Sequence, residues 1–260
     1  MHKFNYPSNL TEKQWSFIEN LIEPNKKRKR KHSLCDIFNA IMYVTKSGCQ
    51  WRMLPAHFAP WNTVYFYFRK WKLEGVIEEI HEYLRGLVRK KFGRHESPSL
   101  GIIDSRSVKT SRQSGSERGY DGGKKIKGRK QHIIVDTLGL LLAVVVHSAT
   151  PHDSQAAFSV VERLKNRFPR LQKIVADGGY RGEELAEKIK NSFGWILQIV
   201  LRTDANKGFQ VLPKRWIVER TFAWFEGSRR LSKDYEVLPE TTEIFIRLAM
   251  IKIMLNKIQK

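Results

Sequence analysis

Apolar residues recur at helical spacing through the first third of the chain and then give way to strand-like runs. Trp15, Ile18, Leu21 and Ile22 share one face of a helix predicted over residues 9–23, with Thr11 as its cap and Pro24 as its breaker. Leu34, Ile37, Phe38, Ile41 and Met42 predict a second helix from Ser33 to near Gly48. Trp51, Pro55, Pro60 and Trp61 stiffen a connector, and Thr63 is placed to cap a helix running through Trp71. Val76, Ile80, Tyr83, Leu84, Leu87 and Val88 mark another amphipathic helix. Residues 1–97 are expected to form an all-helical domain.

Beyond Ser97-Pro98 the period changes. Leu100–Ile103 reads as a buried strand ending in an acid, and residues 131–136 and 139–147 read as an antiparallel hairpin turning at Thr137-Leu138-Gly139. Lys173–Ala176 and Trp195–Leu201 are two further strands. Helices are predicted over Asp153–Leu164 and Gly182–Ile189, from Ile217, and over Thr242–Ile258. The order βββαβαβα predicts a mixed α/β layer sandwich for residues 98–260.

Charge narrows the partner. Lys and Arg number 47 against 26 Asp and Glu, a formal net charge of +21, which calls for a polyanion. Nucleic acid is favoured over a membrane surface, because no apolar run approaches the roughly 18 residues of a spanning helix and no signal-peptide core is present. A cytoplasmic, nucleoid-associated protein is expected. Cys35 and Cys49 lack zinc-knuckle spacing and read as reduced, buried thiols. The positive charge is densest over residues 100–130, which carry 9 basic and 3 acidic side chains. There Arg106, Lys109, Lys124, Lys125, Lys127, Arg129 and Lys130 are expected to track a phosphate backbone. The six consecutive basic residues Lys26–Lys31 read equally as a solvated loop or a phosphate contact.

Three acids are candidates for chemistry. Asp104 and Asp177 each follow a strand, and Glu219 lies in the first turn of a helix. Strand ends of an open α/β sheet are where ligands collect. The intervals of 72 and 41 intervening residues mean that these acids meet only through the fold. Converging carboxylates repel one another unless cations neutralise them, and hard oxygen donors suit Mg²⁺, with Mn²⁺ as a substitute. Two such ions about 4 Å apart serve in-line phosphodiester displacement. By position alone, each acid also reads as a turn or capping residue. Arg215 and Arg220 flank Glu219 and could grip a phosphate or orient the carboxylate. Trp216, Phe222, Trp224 and Phe225 read as core packing, and His132, His147 and His152 as structural histidines. Ser105 and Ser107 have no base placed by the sequence to make either a nucleophile.

Several strings in this order resemble the DDE transposases of bacterial insertion sequences, specifically the insertion-sequence-five family. They are Leu10-Thr-Glu-Lys-Gln-Trp15, Gly48-Cys-Gln-Trp-Arg-Met-Leu-Pro55, Pro60-Trp61 and Thr63-Val64-Tyr65, then Ile103-Asp104-Ser105, Lys127-Gly-Arg-Lys130, Val135-Asp-Thr-Leu-Gly-Leu140, Ala176-Asp-Gly-Gly-Tyr-Arg-Gly182 and Arg215-Trp-Ile-Val-Glu-Arg-Thr-Phe-Ala-Trp224. The resemblance implies a ribonuclease H-like catalytic domain with Asp104, Asp177 and Glu219 at the three acid positions, holding Mg²⁺. It also implies a helical domain, residues 1–97, that binds terminal inverted repeats. The implied activity is cleavage at the element's ends and transfer of the 3′-hydroxyl to target DNA, by a homodimer on double-stranded DNA. Around the last acid the wider group carries Tyr, two residues, Arg, three residues, Glu, six residues, Lys. Arg215 and Glu219 match, whereas Leu212 stands at the Tyr position and Glu226 at the Lys position, leaving Arg229 or Arg230 to supply that basic contact. Two alternatives remain open: a non-catalytic DNA-binding descendant, and a metal-dependent nuclease without strand transfer.

Overall fold

The computed structural model describes residues 6–23, 30–201 and 214–259. Leu212 and most of the Lys26–Lys31 run lie outside the described residues. The chain divides into two compact units. Unit 1 comprises Met1–Lys91, Phe225–Ser232 and Ile244–Lys260, and unit 2 comprises Phe92–Trp224 and Lys233–Glu243. The sequence suggested two continuous stretches meeting at Ser97-Pro98, whereas each of these units is assembled from separated segments.

In unit 1 the elements are α1 (Glu12–Ser16), α2 (Glu19–Ile22), α3 (Leu34–Ser47), α4 (Trp61–Leu73), α5 (Val76–Lys91) and most of a long helix, Pro239–Gln259. The Thr11 hydroxyl accepts the Gln14 N–H while Gln14 reaches back to the Thr11 N–H, closing a capping box. The single helix expected over residues 9–23 is interrupted at Phe17-Ile18 and forms two short helices instead. Ser33 caps α3, and Gly48 ends it at φ +73°, as a left-handed cap requires. Pro60, not Thr63, precedes the first residue of α4, so Thr63 sits inside the first turn. Ile77, Ile80, Leu84 and Val88 form the buried stripe of α5, while Tyr83, expected with them, is exposed. Phe68 stacks on Phe245 of the long helix, with ring centroids 5.1 Å apart, and Trp51 lies against both rings.

Unit 2 is built on a mixed sheet of β1 (Leu100–Lys109), β2 (Gly119–Asp121), β3 (Ile126–Val135), β4 (Leu141–Ser148), β5 (Lys173–Ala176) and β6 (Ile196–Ile199). β3 runs antiparallel between β1 on one side and both β2 and β4 on the other. β5 pairs parallel with β1, and β6 parallel with β5. The β3–β4 turn is organised by Asp136, fully buried, whose Oδ1 accepts the N–H groups of Leu138 and Leu140. The helices α6 (Asp153–Glu162) and α7 (Glu183–Phe193) follow β4 and β5. Their apolar residues, including Ala157, Val160, Val161 and Ile189, share one core with Ile103, Ile134, Leu142 and Ile174 of the sheet. The last element of the unit is most of α8 (Arg215–Glu226). Among the described residues no helix is long and apolar enough to cross a membrane.

Candidate active site

Strand register brings the first two acids together. β1 and β5 pair at Ile102↔Val175, so two residues further along, Asp104 comes level with Asp177 at the mouth of the two parallel strands. Asp177 caps a short 3-10 turn, Gly178–Tyr180, with its Oδ1 accepting the Gly179 N–H at 2.8 Å. Asp104 Oδ1 accepts the Ser105 N–H at 2.7 Å. Each carboxylate is thus oriented by an adjacent backbone amide. Glu219 arrives from α8, one turn after Arg215.

One atom ties the three acids together. Arg215 Nη2 lies 3.5 Å from Asp104 Oδ2, 3.2 Å from Asp177 Oδ2 and 3.6 Å from Glu219 Oε1. Of the two roles expected for Arg215, gripping a phosphate or orienting the Glu219 carboxylate, its position among the acids fits the second. The side chains of Asp104 and Asp177 are 16% and 28% exposed against 56% for Glu219, so the cluster opens to solvent on the α8 side. Burial pushes the Asp104 carboxyl up to about 6, against the opposing pull of the Ser105 N–H and the Arg215 charge.

The donor set is all oxygen, which suits a hard divalent cation, and the Arg215 nitrogen marks a point that attracts all three carboxylates. Among the described residues no three His, Cys, Asp or Glu side chains are arranged as metal ligands. A metal ion held by these acids would compete with the guanidinium, and the acids would fit one only with Arg215 turned away.

Behind Asp104 lies a polar network that the sequence did not reveal. Asp153 Oδ1 accepts from Ser105 Oγ and from Lys130 Nζ, each at 2.8 Å, and Tyr180 shares a 2.7 Å hydrogen bond with His132. Burial, and then the nearby His147, hold His132 below the ordinary histidine range. The rings of His132 and His147 lie 5.7 Å apart. His152 accepts the Ser154 N–H as the cap of α6. The sequence signal for the network was the period of two: Ser105 pairs with His132 and Ser107 with Lys130, placing all four on one face.

Several expected DNA contacts have other partners. Arg129 is wholly buried and bonds Asp234 and the carbonyls of Glu117, Glu236 and Val237. Lys130 is buried against Asp153 and the Pro151 carbonyl. Both were expected to track phosphate, but a buried cation must be paired and hydrogen-bonded, and these have no charge to offer outward. Arg106 bonds Gln131 and stacks on Phe222, and Arg220 lies between the rings of Trp216 and Trp224. Trp216 is exposed rather than packed in the core. Lys124 reaches the Ser105 carbonyl beside Asp104, while Lys109, Lys125 and Lys127 are exposed. Arg230, one of two substitutes for the missing Lys, is instead buried in unit 1, where it donates to the Cys49 carbonyl. Cys35 and Cys49 are free thiols but only half-buried, and burial raises Cys35 to about 11.

Comparison with known proteins gives the family. Residues 95–254 match the family described as "Transposase DDE domain", and residues 10–81 match "Putative transposase of IS4/5 family". A "Putative transposase for insertion sequence element IS402" from Burkholderia cepacia is 24% identical over 140 residues, 51% of this chain and 65% of that protein. The "Insertion element IS402 uncharacterized 16.2 kDa protein" of the same organism is 29% identical over 108 residues, 38% of this chain and 72% of that protein. A solved piggyBac transposase synaptic complex with hairpin DNA aligns at a TM-score of 0.33 and 10% identity, over 80% of this chain and 45% of that one, too slight a likeness to bear on the fold. The chain thus spans just under two thirds of the first relative. With the first family spanning more than half the sequence, this chain belongs to the DDE transposases of insertion sequences, of the IS4/5 type.

Proposed function

We propose that the chain cuts DNA at the ends of an insertion sequence and joins the freed 3′-hydroxyl to target DNA. The convergence of Asp104, Asp177 and Glu219 on one cationic nitrogen supports this reading best. These three residues would hold Mg²⁺, or Mn²⁺ in its place. When bound, the ions supply Lewis-acid activation of the attacking oxygen and stabilisation of the leaving one. The Ser105 and Gly179 amides keep the two aspartates aimed, Lys124 adds positive charge beside the first, and Arg215 leaves the acids to grip a phosphate as DNA enters.

The ribonuclease H-like fold implied by the family would present these acids, and residues 1–97, as a helical module, would bind the terminal inverted repeats. Two element ends must be joined to one target, so a homodimer acts on double-stranded DNA, in the cytoplasm and with the nucleoid. A second reading, a DNA-binding descendant that does not cut, is favoured by Glu226 at the Lys position and by Arg215 at the centre of the acids.

The test is cleavage of a labelled duplex carrying the element's terminal repeat, with Mg²⁺, Mn²⁺ or chelator. Metal-dependent cutting is expected, and its loss in folded Asp104→Ala, Asp177→Ala and Glu219→Ala proteins. In a parallel Mn²⁺ titration without DNA, Arg215→Gln is expected to bind the ion about tenfold more tightly than the native chain, since a competing cation is gone. Binding of the repeat with no cutting under any metal would establish the second reading.

A further inference from the structure

At the far ends of β1 and β3, unit 2 has a cleft of about 500 Å³ lined by Lys109, Arg112, Arg118, Lys125, Lys127 and Lys233. Among the described residues lining it there is no carboxylate. Lys109 is five residues beyond Asp104 on the same strand, so the cleft stands roughly 17 Å from the acids at about 3.3 Å per residue. It is a separate place.

These cations are carried by walls that the interior fixes. Asp234, buried, donates its N–H to the Lys109 carbonyl and accepts the Ser111 N–H on its own, which locks Lys233 beside the end of β1. Buried Arg129 pairs with the Asp234 carboxylate and donates Nε–H to the Glu117 carbonyl at 2.7 Å, holding the loop that carries Arg118. Gly119 and Gly128 face each other across β2 and β3, and a Cβ on Gly128 would lie 1.9 Å from the Val108 carbonyl oxygen. The hairpin bearing Lys125 and Lys127 is therefore pressed onto β1. A fold that clamps six cations around one hollow, with no acid among the described lining residues to offset their repulsion, is prepared for an anion from outside.

The hollow also has a flat apolar surface. Tyr120, another lining residue, is 55% exposed and pairs directly with Lys127 across β2 and β3, which sets the aromatic and the cationic side chain on the same face. Cations alone would serve any phosphate backbone. A cationic groove with an open aromatic ring suits a strand whose bases are unpaired, because only an unpaired base offers its face for stacking. We propose that this cleft binds a single strand of DNA, with phosphates on the cations and a base on Tyr120. The choice of DNA rests on the function proposed above; the site itself does not.

The experiment is fluorescence anisotropy with the full chain and a labelled oligonucleotide of arbitrary sequence, presented as a single strand and as its duplex. Thermal melting confirms that each variant folds. Arg118→Ala and Lys233→Ala are expected to weaken single-strand binding several-fold, and each to reduce the log–log salt slope by about 0.7. Tyr120→Ala should weaken it about tenfold and Tyr120→Phe should restore it, with the duplex little affected. Native-like single-strand binding by the folded variants would overturn the proposal, and so would equal losses on strand and duplex. Asp104→Ala separates this site from the catalytic reading. Single-strand binding lost in the cleft variants, kept in Asp104→Ala, supports the cleft even if no cutting is ever seen, whereas cutting by a chain whose cleft variants bind normally sinks the cleft alone.

Discussion

Two buried basic side chains show how this strongly cationic chain disposes of charge in its interior. Arg129 is met by the Asp234 carboxylate and three backbone carbonyls, so its guanidinium is satisfied where it lies. His81, on α5, is less well met among the described residues: Glu82 stands 3.6 Å from its Nδ1, and Arg247 and Arg85 add positive charge nearby. Burial first, then those cations, depress the imidazole from 6.5 to about 4 despite the pull of Glu82. Protonation is then harder in the folded chain than in the unfolded one. Stability is full above about pH 6.5 and falls as pH drops toward 4, by about 3 kcal/mol in all at 1.36 kcal/mol per unit. Urea midpoints measured from pH 7 to pH 4 should fall more steeply for the native chain than for His81→Leu. Parallel curves would show that His81 does not titrate as its burial dictates.

Among the elements, the long pair β1 and β3 has the widest reach, extending from the acids to the cationic cleft. Gly128→Ala would drive a methyl group into the Val108 carbonyl at the far end of that pair. A loss of roughly 1–3 kcal/mol is expected, as for other overpacked sites, with amide exchange accelerated over residues 107–109 and 126–130 and left unchanged around Asp104. Uniform acceleration along β1 would mean that the strand opens as a whole. The same strand shows what the sequence could convey. Its apolar start, Leu100–Ile103, was legible, but its polar continuation through Lys109 was not, because Ser105 and Ser107 bond the carboxylates of Asp153 and Asp121 instead of packing on apolar side chains. β2 was missed since Gly-Tyr-Asp has no period to read. The three acids could be found from strand ends and motif strings. Arg215 among them could not, because a guanidinium that reaches both strands from a helix is set by tertiary geometry, and the burial of Arg129 and Lys130 depends likewise on segments distant in sequence.

Across the whole molecule, the main fact is the discontinuity of unit 1. Phe245, Leu248, Ile251, Met254 and Leu255 are wholly buried on the long C-terminal helix, Gln14 bonds Asn256, and Lys252 Nζ donates to the Asn9 carbonyl at 2.7 Å. A fragment of residues 1–97 therefore lacks a large part of its own core. Expressed alone, it should show weak near-ultraviolet circular dichroism and no cooperative melt, and a peptide of residues 239–260 added in trans should restore both in part. A sharp, native-like melt for the lone fragment would show that its helices suffice without Phe245 and its neighbours.

The composition of that core also sets a clock. A ribosome adding about 5–20 residues per second delivers the N-terminal helices on the order of 10 s before the helix that completes their core. Throughout that interval, the aromatic faces of Trp51 and Phe68 wait for Phe245, exposed to whatever chaperone or neighbouring nascent chain is at hand. A message cut short before Pro239 would yield a polypeptide with the strands and all three acids but without a finished first unit, so the codons of the long helix decide whether the earliest residues become a working part of the protein.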